Sequence, residues 1–175
     1  MRLFVSIDFP VSTREEILSW IPEQEGWRKV SINQLHLTLV FLGDCSEAEK
    51  DEIHGKLSEI VFTPFNLKIS GLGAFPNESS PRIIWAGVTQ NELIMNLQVK
   101  ISDRLEDHIN SKKNHSYIPH ITVARKKSRK GDNRVIKKNL QKDTGQLVEK
   151  VNSFQLKQSF LKSSGSEHQT LHSYS

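Results

Sequence analysis

The chain has 175 residues, 36% of them hydrophobic, with 24 basic and 20 acidic side chains and a net charge of +4. That length suits a single domain spanning 1–175 with a sizeable core. No apolar run approaches the roughly 20 residues of a membrane span, and the apolar start, Met1 to Ile7, is too short for a signal-peptide core. The lone cysteine, Cys45, excludes an internal disulfide and a thiolate metal cluster, and points to a reducing, cytoplasmic setting.

Arg2 to Ile7 reads as a strand that Pro10 ends. Ser12 or Thr13 then caps a helix through Trp20, with Pro22 just beyond. Gly26 to Ile32 reads as a connection in which Trp27 and Val30 pack. Leu35 to Leu42 is a strand closed by Gly43-Asp44. Ser46 and Glu49 form a capping box that opens a helix through Ile60, with His54 among polar neighbours on its surface. Phe65 to Phe75 is a strand bent at Gly71 and Gly73; after a turn over residues 76–81, Arg82 to Val88 pairs back on it. Leu93, Leu97, Ile101, Leu105 and Ile109 place one apolar stripe on a helix over 92–109, and His108 is read as a cation at its C-terminus. Tyr117 leads into a strand through Arg125. A basic loop follows, and Asp132 caps a short helix through Leu140. Leu147 to Leu161 alternates as one strand, and the tail from Gly165 adds a last short one.

Two of these strands share a motif, His36-Leu37-Thr38-Leu39 and His120-Ile121-Thr122-Val123, each His-x-Thr-x with apolar residues at x. In a strand the His and the Thr share one face, roughly 6.5–7 Å apart at Cα. Two such strands facing each other would surround one pocket with two imidazoles and two hydroxyls. One copy is an ordinary half-buried histidine; two copies, the second followed by Ala124-Arg125 and a basic loop, are a site. A neutral imidazole takes a proton from water while a charged one protonates a leaving oxygen, the two acts displacement at phosphorus requires. The Thr hydroxyls and Arg125 suit the non-bridging oxygens. No carboxylate cluster suggests a metal. From Lys112 to Lys142 lie eleven basic residues and one acid, Asp132, an excess that attracts a polyanion. The halves echo each other, each with a motif strand followed by a helix. The strand pairs predict an α+β architecture, antiparallel or mixed, with a pseudo-twofold relation that brings the two histidines over a cleft.

The paired motifs, with the opening Arg2-Leu3-Phe4-Val5-Ser6-Ile7-Asp8, the run Phe41-Leu42-Gly43 and the segment Pro81-Arg82-Ile83-Ile84-Trp85-Ala86-Gly87, resemble the 2H phosphoesterase superfamily, and within it the RNA 2′,3′-cyclic phosphodiesterases also called 2′-5′ RNA ligases. The resemblance covers nearly the whole chain. It implies a bilobal fold, two sheets lining a central cleft with helices outside. It also implies cofactor-free, metal-independent opening of an RNA terminal 2′,3′-cyclic phosphate to a 2′-phosphomonoester, with 2′-5′ ligation as the reverse. On it, His36 matches the proton donor, His120 the base for water, Thr38 and Thr122 the phosphate-holding hydroxyls, and Arg125 an arginine near the phosphate. The expected partner is an RNA 3′ end bearing the cyclic phosphate, or a related nucleotide, met by a monomer away from membranes. A phosphodiesterase for a small cyclic nucleotide and a non-catalytic RNA-end binder are the alternatives. Phe4, Phe41 and Tyr117 are candidates to stack on a terminal base. The family often carries an aromatic residue shortly after a glycine in its last strand; here Gly165 is followed by Ser166, Glu167 and His168.

Overall fold

A computed structural model describes residues 1–89, 91–109, 116–127, 133–162 and 165–175, the side chain of Val135 excepted. The strands are β1 (Arg2–Ile7), β2 (Trp27–Lys29), β3 (Leu37–Asp44), β4 (Phe65–Phe75), β5 (Ile83–Val88), β6 (His120–Lys126), β7 (Gln146–Val151), β8 (Phe154–Lys162) and β9 (Gly165–Tyr174). The helices are α1 (Val11–Ser19), α2 (Glu47–Ser58), α3 (Glu92–Arg104) and α4 (Arg134–Leu140), and two single 3₁₀ turns span Ile32–Gln34 and Glu106–His108. No helix among the described residues is long and apolar enough to cross a membrane.

The sheet runs β7-β4-β5-β6-β3-β1-β8-β9, with β2 beside β6, and every pairing is antiparallel. The fold is therefore α+β, as expected, with a curled sheet. Its two halves are not separate sheets, however. They meet at one pair of residues, Leu37 on β3 opposite Ile121 on β6. The halves echo each other in order: β1-α1-β3-α2 on one side of this seam and β5-α3-β6-α4 on the other. Leu37 and Ile121 are fully buried in a core that also takes Ile17, Ile53, Leu57, Ile94, Leu97, Ile101 and Ile136 from the four helices. The helices thus cover the face opposite the motif side chains, because alternation sends His and Thr one way and the residues between them the other.

Several local expectations hold. Ser46 and Glu49 make the capping box of α2. Gly71, at φ 69°, sits where the β4–β5 register shifts between Ile69 and Leu72, so the bend needs a residue without Cβ. Others are corrected. The helix α1 starts at Val11 behind Pro10, with no side-chain cap; Thr13 is instead buried and donates to the Glu149 carboxylate. Residues 27–29, read as a connection, form β2. The first motif strand starts at Leu37, not Leu35, because the turn Ile32–Gln34 occupies the approach. The stripe of α3 is rotated: Ile94 is buried and Leu93 exposed, and the helix stops at Arg104. The stretch read as one strand is two, β7 and β8, parted at Asn152-Ser153. His54 is half-buried, its Nδ1 3.0 Å from the Tyr174 hydroxyl and its ring stacked on His172. His108 is buried against Glu52 and Lys56. Lys112, Lys113, Arg129, Lys130 and Asp132 lie outside the described residues.

Candidate active site

The seam explains how residues 84 positions apart meet. From the pair Leu37–Ile121, one step along antiparallel strands sets His36 against Thr122 and Thr38 against His120. All four side chains leave the face that Leu37 and Ile121 bury. The two histidines become diagonal neighbours, about 7–8 Å apart at Cα. All four, with Arg125, line one cavity of about 610 Å³.

Each imidazole is held by a backbone carbonyl two residues upstream. His36 Nδ1 lies 2.6 Å from the Gln34 carbonyl oxygen, and His120 Nδ1 lies 2.7 Å from that of Ile118. A carbonyl only accepts, so Nδ1 carries the proton in both rings and Nε2 is the nitrogen left for chemistry. His36 Nε2 is 3.0 Å from the Thr38 hydroxyl, which donates to it while the ring is neutral. Aromatic rings flank both. His36 packs beside Phe4 and His168; His120 packs beside Phe75 and Trp85.

Burial pushes His36 down to about 4; a charge on His168 would act the same way, and the Gln34 carbonyl opposes it. Burial also lowers His120, opposed by the Ile118 carbonyl and aided by Arg125. Both imidazoles are therefore neutral at pH 7 in the free protein. Arg2, Arg28, Arg125 and Lys162 line the cavity, and no carboxylate does among the described residues. A site built this way is poised to take an anion, and an anion is what returns a proton to an imidazole.

Tyr117 does not line the cavity. Its hydroxyl donates to the Thr38 carbonyl at 2.9 Å, so it braces β3 instead of offering a stacking face. Phe4 is buried and packs on His36, whereas Phe41 is 62% exposed and stays available at the rim. Arg28, missed because 27–29 read as a connection, pairs across from Arg125 on β6, where burial, aided by the like charge of Arg28, lowers Arg125. Gln34, also missed, donates its side-chain amide to the Ser166 carbonyl and so ties β9 beside His36. Neither had a sequence signal beyond residue type.

An antiparallel α+β sheet that pairs two His-x-Thr-x strands over a cationic cavity defines a class. The chain belongs to the 2′-5′ RNA ligase superfamily, whose model matches residues 10–157. It is 34% identical over 169 residues to an RNA 2′,3′-cyclic phosphodiesterase of Archaeoglobus fulgidus, covering 94% of each chain. It is 32% identical to the RNA 2′,3′-cyclic phosphodiesterase of Escherichia coli over 130 residues, 71% of each. Among solved structures, E. coli LigT complexed with 3′-AMP superposes with a TM-score of 0.81 at 26% identity, over 98% of this chain and 95% of that one. TT0787 of Thermus thermophilus gives 0.81 at 26% identity, over 99% and 96%.

Proposed function

We propose that this protein hydrolyses the terminal 2′,3′-cyclic phosphate of RNA to a 2′-phosphomonoester, without a metal, using His36 as acid and His120 as base. The observation that carries the reading is the pair of imidazoles, each oriented by a carbonyl at Nδ1, on neighbouring strands of one cationic cavity. The relatives' activity supports the same reaction.

The steps follow from protonation. The phosphodiester enters as an anion among Arg125, Thr38 and Thr122, and its charge raises the affinity of His36 for a proton. His36 then carries the proton on Nε2, and Thr38 turns from donor to acceptor. Neutral His120 takes a proton from water at Nε2 as the oxygen attacks phosphorus. The P–O bond to the 3′ oxygen breaks, and His36 delivers its proton to that oxygen. The product is a 2′-phosphate and a 3′-hydroxyl, with His120 charged and His36 neutral; proton exchange with water resets both. A 5′-hydroxyl attacking in place of water, deprotonated by His120 while His36 again protonates the leaving 3′ oxygen, gives a 2′-5′ linkage and a 3′-hydroxyl. The setting proposed is cytoplasmic, supported by the single buried thiol of Cys45.

The test is product identification. In EDTA, a short RNA ending in a 2′,3′-cyclic phosphate is expected to give a 2′-phosphate end. An untouched end with turnover of a small cyclic nucleotide would move the substrate class; binding without turnover of either would leave an RNA-end binder.

The pH profile has a definite sign. The base must be neutral, so the rate falls as pH drops through its pKa; the acid must be charged, so it falls as pH rises through its own. In the free protein His36 sits at about 4 and His120 below 6.5. Both limbs of kcat/KM therefore lie below 6.5, and between pH 6.5 and 8.5 kcat/KM falls about tenfold per unit. The kcat profile, which reports the anion-bound site, lies at higher pH. A kcat/KM that climbs from 6.5 to 8.5 would sink the two-histidine assignment.

A further inference from the structure

His168, on β9, lies outside the two motif strands, in a His-x-Thr-x sequence whose first x is the polar Gln169, and it lines the cavity beside His36. Three rings close a triangle there: Phe4, His36 and His168, with every pair of centroids 5.0 Å apart. His168 meets both of the others edge to face, at 81° to His36 and 70° to Phe4. Its two nitrogens are not equivalent. Nδ1 is sealed from solvent and has no hydrogen-bond partner among the described residues. A proton there would bury an unpaired donor, which costs more than burying a bare lone pair. The tautomer that avoids this cost places the only proton on Nε2, and the doubly protonated ring is disfavoured for the same reason. The groups around it act in the same direction overall. Burial, Lys157 from β8 and Arg125 from β6 disfavour a charge on His168; Asp8, after β1, favours one, but Asp8 is paired to the Lys157 ammonium at 2.5 Å.

We propose that His168 is a third substrate-touching imidazole, a neutral donor whose Nε2–H binds a phosphoryl oxygen on the His36 side of the cavity. The assignment rests on the phosphodiesterase reading for its ligand. A neutral donor at this position has a consequence for its neighbour. It holds the oxygen without placing a second cation against His36, so the proton brought up by the anion stays on the acid. A phenyl ring would fill the same corner of the triangle but give no hydrogen bond. A glutamine would give the bond but pack poorly.

That contrast sets the test. His168→Phe and His168→Gln are compared with the wild-type protein in kcat/KM on the cyclic-phosphate RNA, and in affinity for adenosine 2′-monophosphate by calorimetry. Thermal midpoints are read alongside. The donor role predicts that His168→Phe loses about tenfold in both readouts, that His168→Gln recovers a good part of each, and that the loss is the same at pH 6.5 and 8.5. Packing alone predicts the reverse order, with Phe equal to wild type and Gln worse, and that order would overturn the inference. A loss that vanishes at pH 8.5 would also overturn it, since the ring would then be acting as a cation. If wild type binds the nucleotide but does not turn over the RNA, and Gln still outbinds Phe, the phosphodiesterase reading fails while His168 stands as an anion donor.

Discussion

Replacing His120 by alanine is expected to lower kcat/KM on a cyclic-phosphate RNA by about 10²–10⁴-fold, and His36→Ala by a similar factor. The reasoning differs for the two. At 120 the attacking water loses the Nε2 acceptor that the Ile118 carbonyl keeps deprotonated. At 36 the leaving oxygen loses its proton source, and in addition the Gln34 carbonyl and the Thr38 hydroxyl lose their shared partner. Both changes carry a structural cost in lost ring contacts and a lost carbonyl bond, and His36→Ala carries the larger one, since both of its ring nitrogens are partnered. The double variant should lose far less than the product of the two single losses, because acid and base serve one transition state. Steady-state rates with circular dichroism to confirm folding check this; a single variant that keeps more than a tenth of wild-type kcat/KM would remove that histidine from the mechanism.

Gly73→Val is expected to destabilise the protein by about 3 kcal/mol and to damage the site from a distance. Gly73 on β4 lies opposite Trp85 on β5. A Cβ at 73 would fall 2.2 Å from two carbons of the indole. The ring has little room to retreat. It abuts Phe75 at 5.3 Å and His120 at 6.1 Å between centroids, and a Cβ at the neighbouring Gly87 would already be 3.6 Å away. Displacing Trp85 therefore pushes on the imidazole of His120. Urea unfolding should show a lower midpoint at an unchanged slope, together with reduced kcat. Trp85→Leu in the same chain should restore part of the stability. Wild-type stability in Gly73→Val would mean that the indole does not lie across Gly73.

The motif histidines and threonines were legible because period-2 alternation around a buried residue is a local property: Leu37 and Ile121 had to face the core, so His36, Thr38, His120 and Thr122 had to face away from it. Nothing local said that these two strands would be neighbours; that depends on the single pairing between them. Arg28 was illegible for a related reason. Three residues between a glycine and a turn carry too little pattern to show a strand, and β2 exists because β6 offers it an edge. The β7–β8 break failed because alternation continues through Asn152-Ser153 while the chain changes partner, from β4 to β1. Tyr117 shows the limit for aromatics: ring type suggested stacking, but a buried hydroxyl needs an acceptor, and the Thr38 carbonyl provides it. In α3 a spacing of four throughout was one step too regular, and a helix of 3.6 residues per turn carries Leu93 off the buried face.

The seam divides the sheet unequally in chain terms. The strands β4, β5, β6 and β7 come from one continuous stretch, residues 65–151, apart from the short β2 that joins β6. The other half takes β1 and β3 from the beginning of the chain and β8 and β9 from the end. Closing that half brings Ser6 against Gln155 and costs the loop entropy of nearly the whole polypeptide. On a ribosome, the half bearing His120 has all its strands before the half bearing His36 has its last two. His168, supplied by the final strand, arrives after every other ring in the cavity. A growing chain thus holds an imidazole that can accept a proton before it holds a finished pocket in which another can be given back.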